Sequence, residues 1–411
     1  MLHPNDAESK ILDLVQPFHA KHDVETIGLL SAQGRVLAQD VVSQLDFPHW
    51  DNSAMDGYAV RFEDVSTASQ DQPITLTVVE DIPAGYQPQR TIQPGQAARI
   101  FTGAIVPDGA DTIVIQENTE RTDDQVTVFE APTQMAFVRH KAAFYQAGSS
   151  LLPTGTVLNA PEIAVLAAAQ CPQVEVYRRP VVAILSTGDE LISINQPLQA
   201  GQIVDSNRYA LSALIQASGA IPQSFGIIPD KPDALKTAIA SILNEADVIV
   251  SSGGVSVGDY DYVDRILEEL GATIHVRSVA IKPGKPLTVA SFQSKLYFGL
   301  PGNPVSALVS FWRFVQPVLI KLSGHPGSVS PTFVKGRSRH ALKAGGKRET
   351  YLWGQVQLID GEYEFSLAKG SHSSGNLINL ASTNALAIVP IGQTHIPADE
   401  DVLIMLVGRA Q

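Results

Sequence analysis

The spacing of apolar residues divides the chain into stretches of different period. Ile11, Leu12, Leu14, Val15 and Phe18 recur at helical spacing and predict an opening amphipathic helix. Leu29, Leu30, Val36 and Leu37 predict a second helix over Ile27–Gln39. After Val41 the texture turns to short β-like runs, Ile74–Val79, Ala98–Phe101, Thr112–Ile115 and Val126–Phe129, separated by Pro, Gly and Asp. Pro161–Ala169 reads as an Ala-rich helix with proline at its first position, and Val174–Tyr177 as the strand leading out of it.

From Pro180 strands and helices alternate. Val181–Leu185, Ile221–Ile228, Val248–Val250, Thr273–Val279, Leu287–Ala290 and Leu296–Gly299 read as strands. Arg208–Ala217, Pro232–Glu245 and Pro304–Leu322 read as helices. Repeated βα units imply a mainly parallel sheet covered by helices on both faces, with ligands beyond the carboxyl ends of its strands. Those ends carry Ser186-Thr187-Gly188-Asp189-Glu190, Pro229-Asp230, Ser252-Gly253-Gly254 and Pro301-Gly302-Asn303. Hydroxyls, glycines and carboxylates are concentrated where a ligand is expected.

One stretch organises this region: Asp247–Leu270, DVIVSSGGVSVGDYDYVDRILEEL. A short apolar run enters a glycine turn, after which Val263, Ile266, Leu267 and Leu270 take up helical spacing. Asp259, Asp261 and Asp264 crowd the start of that helix. Free N–H groups at the turn suit a phosphate, and clustered carboxylates suit a hard cation such as Mg²⁺. The same residues also serve a tight turn whose acids complement the helix dipole.

From about Thr332 the pattern returns to strands, Tyr351–Leu358, Tyr363–Leu367, Leu386–Val389 and Val402–Val407, as in a small separate β domain. Four loops add chemistry. Asp51–Tyr58 sets two carboxylates around an Asp-Gly turn, and Phe101-Thr102-Gly103-Ala104 follows a strand end. Ile281-Lys282-Pro283-Gly284-Lys285-Pro286 offers two lysines on a stiff loop, and Gly370–Gly375 is a polar Ser- and Gly-rich turn.

Composition narrows the function classes. At 411 residues, roughly two to four domains are expected, on a prior of about one per 100–200 residues. A net charge of −13 argues against a nucleic-acid surface. The single cysteine, Cys171, excludes an internal disulfide and a Cys-based metal cluster. Met1–Lys10 is too polar for a signal peptide and no apolar run reads as long enough to span a bilayer, so a cytoplasmic protein with no membrane partner is expected. There is no GxxxxGK[ST] loop, GxGxxG fingerprint, GxSxG elbow or zinc-like His spacing.

Taken in order, DNSAMDGYAV, FTGAIVPDGAD, STGDEL, SSGGVSVGDYDY, AIKPGKP and LPGNPVSAL resemble one family, the molybdopterin molybdenumtransferases (MoeA and the gephyrin E domain). The resemblance implies a multidomain α/β homodimer. It would have an N-terminal region of helical and mainly-β parts over 1–178, a three-layer αβα molybdopterin-binding domain over 179–326, and a small C-terminal β-barrel over 330–411. It implies insertion of molybdate into adenylylated molybdopterin, with Mg²⁺-assisted cleavage of the pyrophosphate link and release of AMP. A molybdopterin adenylyltransferase would donate the substrate, and molybdenum enzymes or carriers would receive the cofactor. Adenylylation of molybdopterin, or a catalytically weakened pterin-binding scaffold, are the alternatives; the former is disfavoured by the N- and C-terminal β regions, which adenylylating relatives lack.

Carried over by motif, Asp56 and Thr102 contribute to the site from the N-terminal region. Glu190, Asp230 and Asp261 are the acids expected to hold metal or position the attacking water. Lys282 and Lys285 are expected on anionic groups, and Ser371 on molybdate. Ser252, Gly253 and Gly254 are expected to cradle phosphate and pterin. Thr187, Gly188, Asp189, Ser256, Asp259, Pro301, Asn303, Pro304 and Arg348 complete the expected substrate-binding set. Two departures stand out. A run usually Arg-Gly-Glu-Asp-Ile is here Lys141-Ala142-Ala143-Phe144-Tyr145, and an arginine usual before a glycine is Trp353, leaving Arg348 as the nearest basic residue.

Overall fold

The computed structural model describes residues 1–253 and 260–410, and the side chains of 260–262 are left aside. Gly254, Ser256 and Asp259, named above as site candidates, lie outside the described residues, as does the side chain of Asp261.

The opening helix α1 spans Pro4–Asp13 and buries Ala7 and Ile11. The second helix expected over Ile27–Gln39 does not form. Val24–Gly28 is instead a strand paired antiparallel with Gln173–Tyr177, Leu29–Ser31 makes a single 3₁₀ turn, and Gly34 bends the chain at φ +74°. Val36 and Leu37 are then bridged to Val157 and Val176. Apolar residues at helical spacing were claimed by strand partners more than a hundred positions away, a tertiary override of local pattern. The following region is mainly β, with a six-stranded sheet that includes Gly57–Val60, Ile74–Ile82, Gln96–Ile100 and Thr112–Ile115.

The central sheet contains β1 (Val181–Thr187), β2 (Ile221–Ile228), β3 (Val248–Ser252), β4 (Thr273–Ser278), β5 (Pro286–Phe292) and β6 (Lys295–Leu300). The strand order is β2-β1-β3-β6-β5-β4. The first four neighbours run parallel, β5 is antiparallel to β6, and β4 is antiparallel to β5. Strand alternation sorts the core onto two faces. Val182, Ile184, Val248 and Val250 pack with α1, helix α2 (Ser206–Ala217) and the helix from Pro304, whereas Ala183, Leu185 and Ile249 pack with helices α3 (Pro232–Ile242) and α4 (Tyr260–Glu269).

Helix α5, Pro304–Leu322, passes through a π-type turn at Phe311–Val315. By length and composition it could cross a membrane, which corrects the expectation that no such run exists. Its apolar window is nevertheless 83% buried inside the protein and is spent on the core. The C-terminal strands close on themselves: Glu349–Ile359, Glu362–Leu367, Phe333–Ser338, Asp401–Leu406 and Ala385–Val389 pair in that order, and the last returns to the first. Closure leaves this five-stranded barrel without a free sheet edge.

Arg313 joins three of these parts. Its guanidinium is 1% exposed; it donates to Tyr351 Oη of the barrel at 3.1 Å and to Asn5 Oδ1 of α1 at 2.8 Å, and pairs with Glu8. Replacing it with alanine strands Glu8 beside an empty buried site, so Arg313→Ala is expected to destabilise by about 3–5 kcal/mol. A urea unfolding midpoint equal to the parent protein would contradict this.

Candidate functional site

The carboxyl ends of β1, β3 and β6 border a cleft of about 750 Å³. Thr187, Gly188, Glu190, Asp205, Asn207, Asp230, Ser252, Gly253, Pro301, Gly302, Asn303 and Pro304 line it, with Pro286, Gly375 and Leu377 on its far side. Three features give it this form. Leu191–Ile192 pairs in parallel with Ile203–Val204, which brings Glu190 back over the start of α2. Asp205 caps α2, accepting from the Arg208 N–H at 3.2 Å, and is held by the Arg208 guanidinium at 3.3 Å. The Asp230 N–H donates to Asp189 Oδ1 at 3.2 Å, tying together the loops that follow β1 and β2.

The glycine turn is sterically required. Gly253 has φ +96°, and a Cβ there would lie 2.2 Å from the Thr187 carbonyl oxygen. Its N–H donates to the Leu300 carbonyl at 3.2 Å, and Gly302 packs against its Cα. Three strand ends therefore meet at backbone contact distance, which only a residue without a side chain permits.

The structure brings together much of the expected set. Thr187, Gly188, Glu190, Asp230, Ser252, Gly253, Pro301, Asn303 and Pro304 share the cleft, and Asp189 supports it through Asp230. Lys282, Lys285, Arg348 and Ser371 are not among the lining residues. Ile281–Lys282 extends the barrel by pairing with Glu349–Thr350, and Arg348 donates to the Ile281 carbonyl at 3.3 Å, so this loop serves the domain junction. Ser371 lies in the loop that reaches the cleft through Gly375 and Leu377; its carbonyl accepts from Asn376 and Asn379. Asp56 and Thr102 form their own pair elsewhere, with the Thr102 N–H and hydroxyl both donating to Asp56 Oδ1 at 2.7 Å.

Two lining residues, Asp205 and Asn207, escaped the sequence reading. The run Val204-Asp205-Ser206-Asn207 ahead of a helix carries a capping signature that could have flagged them. Asn207 is 7% exposed and donates to Ser252 Oγ at 2.7 Å and to the Gly302 carbonyl at 2.9 Å. It clamps β3 and β6 to the start of α2.

The charged side chains lining the cleft are acidic, Glu190, Asp205 and Asp230, among the described residues. These oxygen donors suit a hard cation, and Mg²⁺ is commonly held by one or two carboxylates plus substrate phosphates and water. Among the described residues no group of three His, Cys, Asp or Glu side chains could hold a metal by itself.

A doubly wound α/β sheet with a polar cleft at its strand ends, carrying β modules on either side in sequence, defines a multidomain ligand-binding α/β protein. Family profiles cover the chain in three pieces: the MoeA N-terminal region (domains I and II) over 2–169, a probable molybdopterin binding domain over 183–321, and the MoeA C-terminal region (domain IV) over 335–407. A molybdopterin molybdenumtransferase of Nostoc sp. is 59% identical over 403 residues, covering 97% of this chain and 92% of the relative. One from Haemophilus influenzae is 37% identical over 408 residues, covering 98% of each. A crystal structure of a molybdopterin biosynthesis MoeA protein from Pyrococcus horikoshii superposes with a TM-score of 0.82 at 28% identity, covering 99% of this chain and 100% of that one. The chain belongs to the molybdopterin molybdenumtransferase (MoeA) family.

Gly253→Ala is expected to cost about 1–3 kcal/mol in backbone strain alone and to force the Thr187 and Gly253 strand ends apart. Thermal unfolding would show the loss, and an unchanged midpoint would contradict the contact. The Thr102 N–H and hydroxyl hold the Asp56 carboxyl below the ordinary range. Because the folded pKa is depressed, the pair's contribution is present above the unfolded value and is lost as pH falls through the folded one. An NMR titration should place Asp56 below an unperturbed aspartate, and Thr102→Val should move it part of the way up.

Proposed function

We infer that this chain inserts molybdenum into molybdopterin, the transferase activity for which its relatives are named. The supporting observation is the acid-lined, glycine-floored cleft within the segment matched by the molybdopterin-binding profile. The finer reading is that the substrate is adenylylated molybdopterin and molybdate, with AMP and molybdenum cofactor as products. We assign the working parts to 1–178, 179–326 and 330–411.

Phosphates bring negative charge into a cleft whose own described charges are negative, and Coulomb repulsion at contact distance opposes that. Glu190 and Asp230, with Asp261 as the third expected acid, would hold Mg²⁺ against the pyrophosphate. The cation supplies Lewis-acid neutralisation of the charge that develops on cleavage. The chain's own share is positional. Ser252 and the Gly253 turn hold the substrate at the strand ends, and the Pro301–Pro304 turn opens α5 beside it. Glu190 or Asp230 is poised to orient a water for attack on the phosphoanhydride.

Asp56 and Thr102 act in this reading from a second copy of the chain, as a homodimer would permit. An ionised, doubly hydrogen-bonded carboxylate is a preorganised group for orienting a water or a donor. Lys282 and Lys285 would meet the anionic end of the substrate, and Ser371 the molybdate. The protein would take its substrate from an adenylyltransferase and pass the cofactor to molybdenum enzymes or carriers in the cytoplasm.

Purified protein given adenylylated molybdopterin, molybdate and Mg²⁺ is expected to release AMP and form molybdenum cofactor. Asp230→Ala should lower the rate by about 10²-fold or more. Absence of AMP release from the parent protein would overturn the reading.

A further inference from the structure

Two residues lining the cleft carry hydrogen-bonding capacity that the described residues leave unused. The Asn207 amide is oriented unambiguously, because its partner, the Gly302 carbonyl, only accepts and so must face the nitrogen. Both N–H groups are spent, on Gly302 and on Ser252 Oγ. Asn207 Oδ1 is then buried with no partner among the described residues. Thr187 is 4% exposed, and among the described residues its Oγ1 likewise has no partner. This hydroxyl sits beside the glycine turn, 3.1 Å from where a Gly253 Cβ would be. Both residues line the cleft.

Buried polar atoms are almost always paired in proteins, so two orphans on the floor of one cleft mark a place a ligand completes. Their chemistry selects the ligand group. A fixed amide oxygen repels a phosphate, whose oxygens only accept, and welcomes an N–H. The Thr187 hydroxyl, on a residue lining the same cleft, can either donate or accept.

We propose that Asn207 and Thr187 are specificity-determining residues that read the edge of a nitrogen heterocycle. Asn207 Oδ1 accepts an exocyclic amino or ring N–H, and the Thr187 hydroxyl pairs with the adjacent ring position, directly or through one ordered water. The aminopyrimidinone edge of a pterin and the aminopyrimidine edge of adenine both carry a donor beside an acceptor. The proposal rests on the molybdopterin reading above and deepens it: the phosphates lie toward the acidic rim with Glu190 and Asp230, and the ring lies on the floor.

Thr187→Val tests this cleanly. The change is nearly isosteric and removes a hydroxyl with no partner among the described residues, so the thermal midpoint should hold or rise. Asn207→Leu is the second variant. Calorimetric titration with molybdopterin, with AMP and with Mg²⁺ alone should show about a tenfold loss for one of the two heterocycles. The other heterocycle and Mg²⁺ should be unchanged in Thr187→Val, and the weakened ligand identifies which ring occupies the floor. Unchanged affinities, an equal loss for both heterocycles, or a loss confined to Mg²⁺ would each overturn the assignment. Failure of the parent protein to bind either heterocycle would sink the molybdopterin reading as well, whereas normal binding by the parent and both variants would sink only the floor.

Discussion

A guanidinium buried where three parts of the chain meet holds the architecture in register. Taking Arg313 out of water is costly, and the cost is offset only because Glu8 and Asn5 of α1 and Tyr351 of the barrel all reach it. Burial pushes the Tyr351 phenol well above its ordinary range, so it stays protonated and donates to Glu349 at 2.5 Å. The same strand pairs with Ile281–Lys282, and the Val305 N–H at the start of α5 donates to the Ser374 carbonyl at 3.1 Å. These contacts place Gly375 and Leu377 on the far wall of the cleft. The barrel has a core of its own, and Tyr351, Trp353, Leu386, Ile388 and Met405 also join it to the core of the central domain.

The site divides its chemistry by depth. The rim carries carboxylates, suited to a cation and to phosphates bridged by it. The buried part carries the Asn207 amide, the Thr187 and Ser252 hydroxyls, a glycine turn and the Asp205 carboxylate, which Arg208 offsets. Elsewhere the protein presents Asp56 as a fixed carboxylate on Thr102, close enough to Arg99 to feel its charge.

Much of this was legible in the chain itself. Six strands and their helices followed from period alone, and the polar runs at the strand ends named Thr187, Glu190, Asp230 and Ser252 as cleft residues. The lysine loop showed its basic, proline-bounded character in the sequence but not its pairing with the barrel strand at Glu349–Thr350, because a stiff turn looks the same along the chain whatever it packs against. Asn207 was passed over because it resembles one more residue after a helix cap; its partners lie 45 and 95 residues away. The helix expected over Ile27–Gln39 failed for a related reason, since Val24–Gly28 found a strand partner at Gln173–Tyr177.

By itself the sequence determined the α/β rhythm, the chemistry of the strand ends and, through six short runs in order, the family. Those are properties of periodicity and of local residue type, which adjacent positions encode. Only the tertiary structure decided which polar atoms are spent and which are left over. That balance depends on distant partners such as Gly302 for Asn207 and Glu8 for Arg313, and on backbones packed closely enough that Gly253 admits no side chain. Hydrogen-bond capacity is counted in space, not along the chain.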